Sequence, residues 1–131
     1  MHNKLSLTTG VNFDTLYNML TVIFFQTGSG NEPVRDWLRN LTPIEKKIIG
    51  GDIRTVQRDW PIGPPLVKKV DSQLKEIRSR LPDKIARILF IIEDDTVYLL
   101  HGFIKKSVKI PKEDLETAHS RLKFLRSQDK D

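Results

Sequence analysis

Positive charge gathers in one stretch of this 131-residue sequence. From Thr96 to Lys112 the chain reads TVYLLHGFIKKSVKIPK. Its first half is a run of apolar and β-branched residues of the kind that forms a buried strand. Beyond His101, Gly102 and Phe103 come Lys105, Lys106, Lys109 and Lys112, with no acid among them, and Pro111 ends the stretch and opens a helix. A core strand that carries uncompensated ammonium groups to one edge of a small domain is suited to holding phosphates. Arg78 and Arg87, each in a segment that reads as a strand, add planar guanidinium groups able to grip a phosphate through two N–H bonds at once.

Each of these residues has a plainer reading beside the chemical one. Arg78 can be a surface ion pair with Glu76 or Glu93, and Arg87, set in an apolar strand, is either a buried pair or a phosphate contact. Lys105 and Lys106 end the last strand and face opposite sides of the sheet. Lys105 is the stronger candidate because it shares a face with His101 and Phe103, and Lys109 reaches the same edge; runs of lysine, however, are usually solvated faces. His101 carries the one side chain whose ordinary chemistry suits proton transfer near neutral pH, although a lone His in an apolar strand is more often a hydrogen-bonded structural residue. His119 and His2 lie elsewhere in the sequence and form no paired-histidine site with it. Phe103 has a ring that can stack a base, yet it alternates with core positions, which favours the core. Three scattered histidines and the turn Glu93-Asp94-Asp95 make no metal site, and no cofactor is expected.

These residues need elements to position them. Residues 20–25, LTVIFF, read as a short strand, and Gly28 to Asn31 as a loop whose glycine spacing is wrong for a phosphate cradle. Pro33, with acids at Glu32 and Asp36, starts a helix to about Asn40 that carries Val34, Trp37, Leu38 and Leu41 at helical spacing. Thr42-Pro43-Ile44-Glu45 has the pattern of a capping box and starts a second helix to about Asp59, with Gly50-Gly51 weakening its middle. The stretch Trp60 to Pro65 is a rigid loop. Strands are expected over 74–80, over 84–93 (apolar on both faces, hence central) and over the opening stretch, joined by turns at Leu81-Pro82-Asp83 and Glu93-Asp94-Asp95. A closing helix runs from Lys112 to about Ser127 with Leu115, Ala118, Leu122 and Leu125 on one face. The predicted fold is α+β in the order β-α-α-β-β-β-α: a helical hairpin and a C-terminal helix packed on one face of a small antiparallel sheet.

The totals agree with one small domain. Hydrophobic residues are 38% and charged residues 30%, as in a globular chain, and the net charge of +5 makes a polyanionic partner plausible. The sequence has no cysteine, which excludes disulfides, zinc–thiolate sites and thiol catalysis. No apolar run reaches the roughly 18–20 residues of a membrane span, so a membrane is not expected as partner and a cytoplasmic location is. Residues 1–18 lack the apolar core and cleavage site of a secretory signal and are expected to be an extension, with disorder possible there. The domain is placed at 19–127 and a fraying tail at 128–131.

Taken together, several pieces resemble the RelE/ParE toxin superfamily, most closely its HigB-like, phage-derived branch. They are Glu32-Pro33-Val34-Arg35-Asp36-Trp37-Leu38, the loop Trp60-Pro61-Ile62-Gly63-Pro64-Pro65-Leu66, Glu76-Ile77-Arg78-Ser79, Arg87-Ile88-Leu89-Phe90, and Leu99 to Ser107 with Lys109 and Pro111. The last is fairly specific; the others carry weight together. Lys75 stands where members of this branch often have Trp. The resemblance implies the toxin of a type II toxin–antitoxin system, a metal-independent endoribonuclease that cuts translated mRNA on the ribosome and so inhibits translation. Its implied partners are a helix-turn-helix antitoxin, the mRNA, and operator DNA reached only through the antitoxin. Arg78 falls where RelE-like toxins place a catalytic arginine. The site expected on this basis has Arg78, Arg87, Lys105 and His101 as catalytic groups, with Lys106, Lys109 and Lys84 contacting nucleic acid. The alternative is a non-catalytic binder on the same scaffold, either a gyrase poison or a degenerate phage-derived toxin.

Overall fold

A computed structural model describes residues 19–128; the expected N-terminal extension and the last three residues lie outside the described residues. The elements are β1 (Thr21–Phe24), α1 (Pro33–Arg39), α2 (Pro43–Asp59), β2 (Val67–Lys69), β3 (Lys75–Arg80), β4 (Ile85–Glu93), β5 (Thr96–Ile104) and α3 (Lys112–Ser127). They form an α+β fold around one five-stranded sheet ordered β1-β5-β4-β3-β2. The strands β2 to β5 are an antiparallel meander, as short turns between them require, and β1 joins the open side of β5 in parallel. The short strand β2 adds an element to the predicted order.

Local chemistry sets the helix and turn boundaries. Thr42 Oγ1 accepts from the Glu45 backbone N–H at 3.2 Å, and Glu45 Oε1 accepts from the Thr42 N–H at 3.0 Å, which completes the capping box of α2. Pro43 follows at the first helical position, where its missing N–H costs nothing. At the β4–β5 turn, Asp94 and Asp95 both take positive φ, 50° and 59°, which matches the twist of a tight hairpin.

The sheet is covered on both sides. On one side Ile77, Ile88, Phe90, Val97 and Leu99 pack with Val34 of α1 and with Ile49 and Val56 of α2. On the other, Leu89, Ile91 and Leu100 pack with Ala118 and Leu122 of α3. The expectation of helices on one face is therefore corrected: the hairpin and α3 sandwich the sheet. The reason lies in β4, whose residues Ala86 to Ile91 are all buried, so both of its faces need a cover.

An irregularity in β5 decides which side chains reach which face. Leu99 pairs with Phe90 and His101 with Leu89, so Leu100 is an extra residue in β5 at that step. Before it, the odd residues Val97 and Leu99 face the hairpin; after it, His101 and Phe103 face α3. The even residue Gly102 then faces α1, and Trp37 lies so close that a Cβ at Gly102 would sit 2.4 Å from the indole Cε3. Only glycine admits this approach.

Candidate nucleic-acid interface

The register of the meander assembles a charged cluster on the α3 side of the sheet. Arg78 of β3 lies opposite Arg87 of β4, and Arg87 opposite Phe103 of β5. Opposed residues of an antiparallel pair share a face. One row along, Lys68 of β2 lies opposite Glu76, and Glu76 opposite Leu89. The Glu76 carboxylate is buried between the two guanidiniums, with Oε1 3.7 Å from Arg78 Nε and Oε2 3.6 Å from Arg87 Nε. Those separations are ion-pair contacts too long for hydrogen bonds, and Glu76 Oε2 and both arginine Nε atoms have no hydrogen-bond partner.

The two arginines differ in what they can reach. The Arg87 side chain is only 5% exposed, and its Nη2 donates to the Val108 carbonyl at 3.1 Å. It joins the buried strand to the loop after β5. Of the two open readings of Arg87, the structure has the buried pair. Arg78 is 26% exposed and also lines a groove with Ile48, Asp52, Leu66 and Arg80, so it is the guanidinium open to a ligand. Its carboxylate partner is Glu76; Glu93 instead receives two bonds from Arg126.

The lysines separate into two places. Strand β5 ends at Ile104, and the Lys105 N–H makes one further bond, 2.7 Å to the Ile85 carbonyl. Lys105 is half-buried, whereas Lys106 and Lys109 are exposed, and among the described residues none of the three has an acid within ion-pair distance. Ser107 Oγ donates to the Lys109 carbonyl at 2.6 Å and shapes the turn. Lys84 lies apart from them in the β3–β4 turn, with Nζ 3.0 Å from Glu45 Oε2. The hydrogen bond to Glu45 raises the Lys84 pKa, and the Thr42 backbone bond together with Lys84 lowers that of Glu45. The structure thus engages Lys84 at the start of α2 and does not bring it into the Arg78 cluster.

His101 stands in the interface with α3. Its Nε2 is 2.6 Å from Asp114 Oδ1 and its Nδ1 is 3.3 Å from Arg121 Nη1. Arginine offers donors only, so Nδ1 accepts and the ring proton sits on Nε2, toward Asp114. Arg121 also donates to the Leu100 carbonyl at 2.8 Å, and its burial lowers its pKa. Phe103 stacks on the imidazole with ring centroids 5.5 Å apart and lies on the Arg87 side of it. With both nitrogens engaged, His101 in this arrangement orients β5 and α3 relative to one another.

Several participants are not visible in the sequence as site residues. Glu76 is read there only as a partner for Arg78, and Lys68 and Lys69 lie in a segment, Val67–Lys69, too short to be read as a strand. A second pairing, His119 Nε2 to Asp71 Oδ2 at 2.8 Å, fastens α3 to the loop between β2 and β3. Burial pushes the Asp71 carboxyl up, but the N–H groups of Leu74 and Gln73 and the bond to His119 outweigh it and hold it below its usual value.

A cleft of about 290 Å³ opens beside the cluster, with Glu76 and Arg87 in its wall. Lys68 and Lys69 flank it from β2 and Lys109 from the loop after β5. Residues 36–123, from the middle of α1 to the last turns of α3, match the sequence model of the family described as Phage derived protein Gp49-like (DUF891). That is about two-thirds of the chain and includes every charged residue of the cluster. No curated protein matches the chain. No helix among the described residues is long and apolar enough to cross a membrane.

Proposed function

The chain belongs to the Phage derived protein Gp49-like family, and from that premise we propose that it is the toxin of a type II toxin–antitoxin pair, placed in the RelE/ParE superfamily beside the HigB-like toxins. Its activity on this reading is metal-independent cleavage of mRNA on the ribosome, and a helix-turn-helix antitoxin neutralises it and alone carries the pair to operator DNA. The observation that supports the reading best is the half-open Arg78 held beside the buried Glu76–Arg87 pair, with acid-free lysines at the same end of the sheet.

RNA cleavage of this kind has the ribose 2′-oxygen attack the adjacent phosphorus while the bond to the 5′-oxygen breaks. A proton leaves the 2′-hydroxyl, negative charge grows on the non-bridging oxygens, and the departing oxygen gains a proton. Arg78 is placed to take the growing charge, the contribution that electrostatic preorganisation makes largest. Glu76 turns the Arg78 Nε inward, which leaves its terminal nitrogens for the phosphate. Lys105 at the strand end is the group assigned to protonate the departing 5′-oxygen, the 2′-hydroxyl proton passes to solvent, and Lys106 and Lys109 hold neighbouring phosphates. Alignment by the ribosome supplies the remaining rate enhancement by fixing the in-line geometry.

One observation favours the alternative of a non-catalytic binder: neither nitrogen of His101 is free to exchange a proton with a ligand. The two readings separate on induced expression of the chain in bacteria followed by sequencing of mRNA 5′ ends. The nuclease reading expects cuts at a fixed place within codons that vanish when translation is blocked. Growth arrest without such cuts overturns it in favour of a gyrase-type target, and no arrest points to a degenerate toxin retained as a binding module.

A further inference from the structure

The most unusual exposed side chain near the cluster is not charged. Val108 is 86% exposed at the tip of the loop after β5, although its own carbonyl is fixed by the buried Arg87 at 3.1 Å. An aliphatic side chain this open is ordinary on a loose loop, but here the backbone beneath it is bonded to the sheet. The loop presents Val108 outward and places Lys109 beside it at the mouth of the cleft.

Across the cleft stands the edge strand β2. Lys68 and Lys69 are exposed there, and neither has an acid within ion-pair distance among the described residues. The one carboxylate lining the cleft, Glu76, is already shared by Arg78 and Arg87. The remaining walls are aliphatic: Val70, Ile110 and Leu115. Free ammonium groups around an apolar slot match a nucleotide, whose phosphate needs cations and whose base gains by leaving water for apolar surface.

We propose that this cleft is a subsite for one nucleotide of single-stranded RNA next to the cleaved one. Its phosphate lies between Lys68, Lys69 and Lys109, and its base lies against Val108 and the aliphatic wall. The proposal rests on RNA being the substrate, as argued above, and extends the site from Arg78 to the β2 edge. The orphaned Nε of Arg87 and Oε2 of Glu76, in residues only 4% and 3% exposed, give the cleft a polar floor that does not collapse onto apolar neighbours.

The test is equilibrium binding of a single-stranded RNA hexanucleotide to the full chain across a range of salt. Each lost phosphate contact flattens the log–log salt dependence by about 0.7 for a single strand. The subsite holds one phosphate, so Lys68→Gln/Lys69→Gln and Lys109→Gln are each expected to flatten the slope by up to about 0.7, and the triple variant by no more than that. Val108→Ser is expected to weaken binding about tenfold, the scale of losing the burial of one branched aliphatic side chain, with the slope unchanged. Val108 and Lys109 are exposed, so these variants keep a folded-state readout even where the β2 edge pair disturbs pairing. An unchanged slope in both lysine variants overturns the phosphate contact, and unchanged affinity in Val108→Ser overturns the base contact. Displacement of the RNA by polyglutamate at equal charge concentration also overturns the proposal and assigns the cleft to an acidic protein segment. Salt slopes that respond as expected in a chain that makes no cuts on ribosomes support the subsite while removing the nuclease reading.

Discussion

Arg87 Nη2 donates to the Val108 carbonyl at 3.1 Å, and this bond ties a lysine-bearing loop to the most buried strand of the sheet. The same guanidinium faces Glu76 from inside the protein. Removing Arg87 leaves the buried Glu76 with only the partly exposed Arg78 at 3.7 Å, so the cost falls toward the low end of the about 3–5 kcal/mol for breaking a buried pair. Arg87→Ala is therefore expected to lower stability by that order in urea unfolding, and to make the loop at 105–110 an early site of limited proteolysis. Arg87→Lys keeps the charge but loses the reach to Val108, so it is expected to restore part of the stability and none of the loop protection. Equal stability of Arg87→Ala and the parent would remove the buried pair from the account.

The glycines provide a second test because the same substitution has opposite signs at two places. A Cβ at Gly102 meets Trp37 at 2.4 Å, so the indole or the strand must shift to admit it. Gly102→Ala is expected to cost about 1–3 kcal/mol, the range for overpacked cores. Gly50 lies in the exposed middle of α2, and a methyl group there would have nothing within 4 Å. Gly50→Ala is expected to stabilise by about 0.5–1 kcal/mol through helix propensity alone. Thermal unfolding of the two variants side by side checks both signs.

The dependence of stability on pH follows from Asp71 and Lys84. The Asp71 carboxyl is held below its ordinary value in the folded chain, because the N–H groups of Leu74 and Gln73 and the bond to His119 outweigh its burial. Its contribution is complete above the unfolded value of about 3.9 and drains as pH falls through the lower folded value. Lys84 is raised by its bond to Glu45, so its contribution is complete below about 10.4 and is lost as pH rises through the higher folded value. Asp71→Asn is expected to make the melting temperature fall less steeply on the acid side and to leave the alkaline side unchanged. Lys84→Met is expected to make the alkaline fall less steep and also to soften the acid side, because Lys84 helps to hold the Glu45 carboxyl below its ordinary value; both profiles are read from melting temperatures at matched ionic strength.

Much of this architecture is legible in the sequence because it is encoded locally. The Thr42–Glu45 box, the proline starts, the Asp94–Asp95 turn and the leucine face of α3 each depend on residues a few positions apart. The features that are not legible depend on register. Strand β2 is three residues long and two are lysines, so it has neither length nor pattern. The extra residue at Leu100 shifts the alternation of β5, which is why Val97 and His101 face opposite sides although an unbroken strand would put them together. The site shows the same division. The lysine run and the arginines stand out as residue types, but Glu76 becomes the hub of the two arginines only once β3 and β4 are aligned. Covering helices on both faces are implied by the apolar run of β4, which no one-sided packing can satisfy.

The final prediction separates binding groups from structural ones within the Arg78 cluster. Arg78 is partly open, and its loss leaves Glu76 still facing Arg87. Arg78→Ala is therefore expected to change stability by about 1 kcal/mol, the scale of a partly exposed ion pair. Lys105 contributes a backbone bond to Ile85 that any non-proline residue retains, so Lys105→Ala is expected to be nearly neutral for folding. If these two side chains act on the scissile phosphate, each substitution relieves growth arrest on induced expression while the chain accumulates to the parent's level. Arg87→Ala also relieves it, but with reduced accumulation, because it acts through the fold. Arrest that persists in both Arg78→Ala and Lys105→Ala at equal expression removes both residues from the catalytic assignment. Relief by Arg78→Ala alone would keep the phosphate clamp and require a different group for proton transfer.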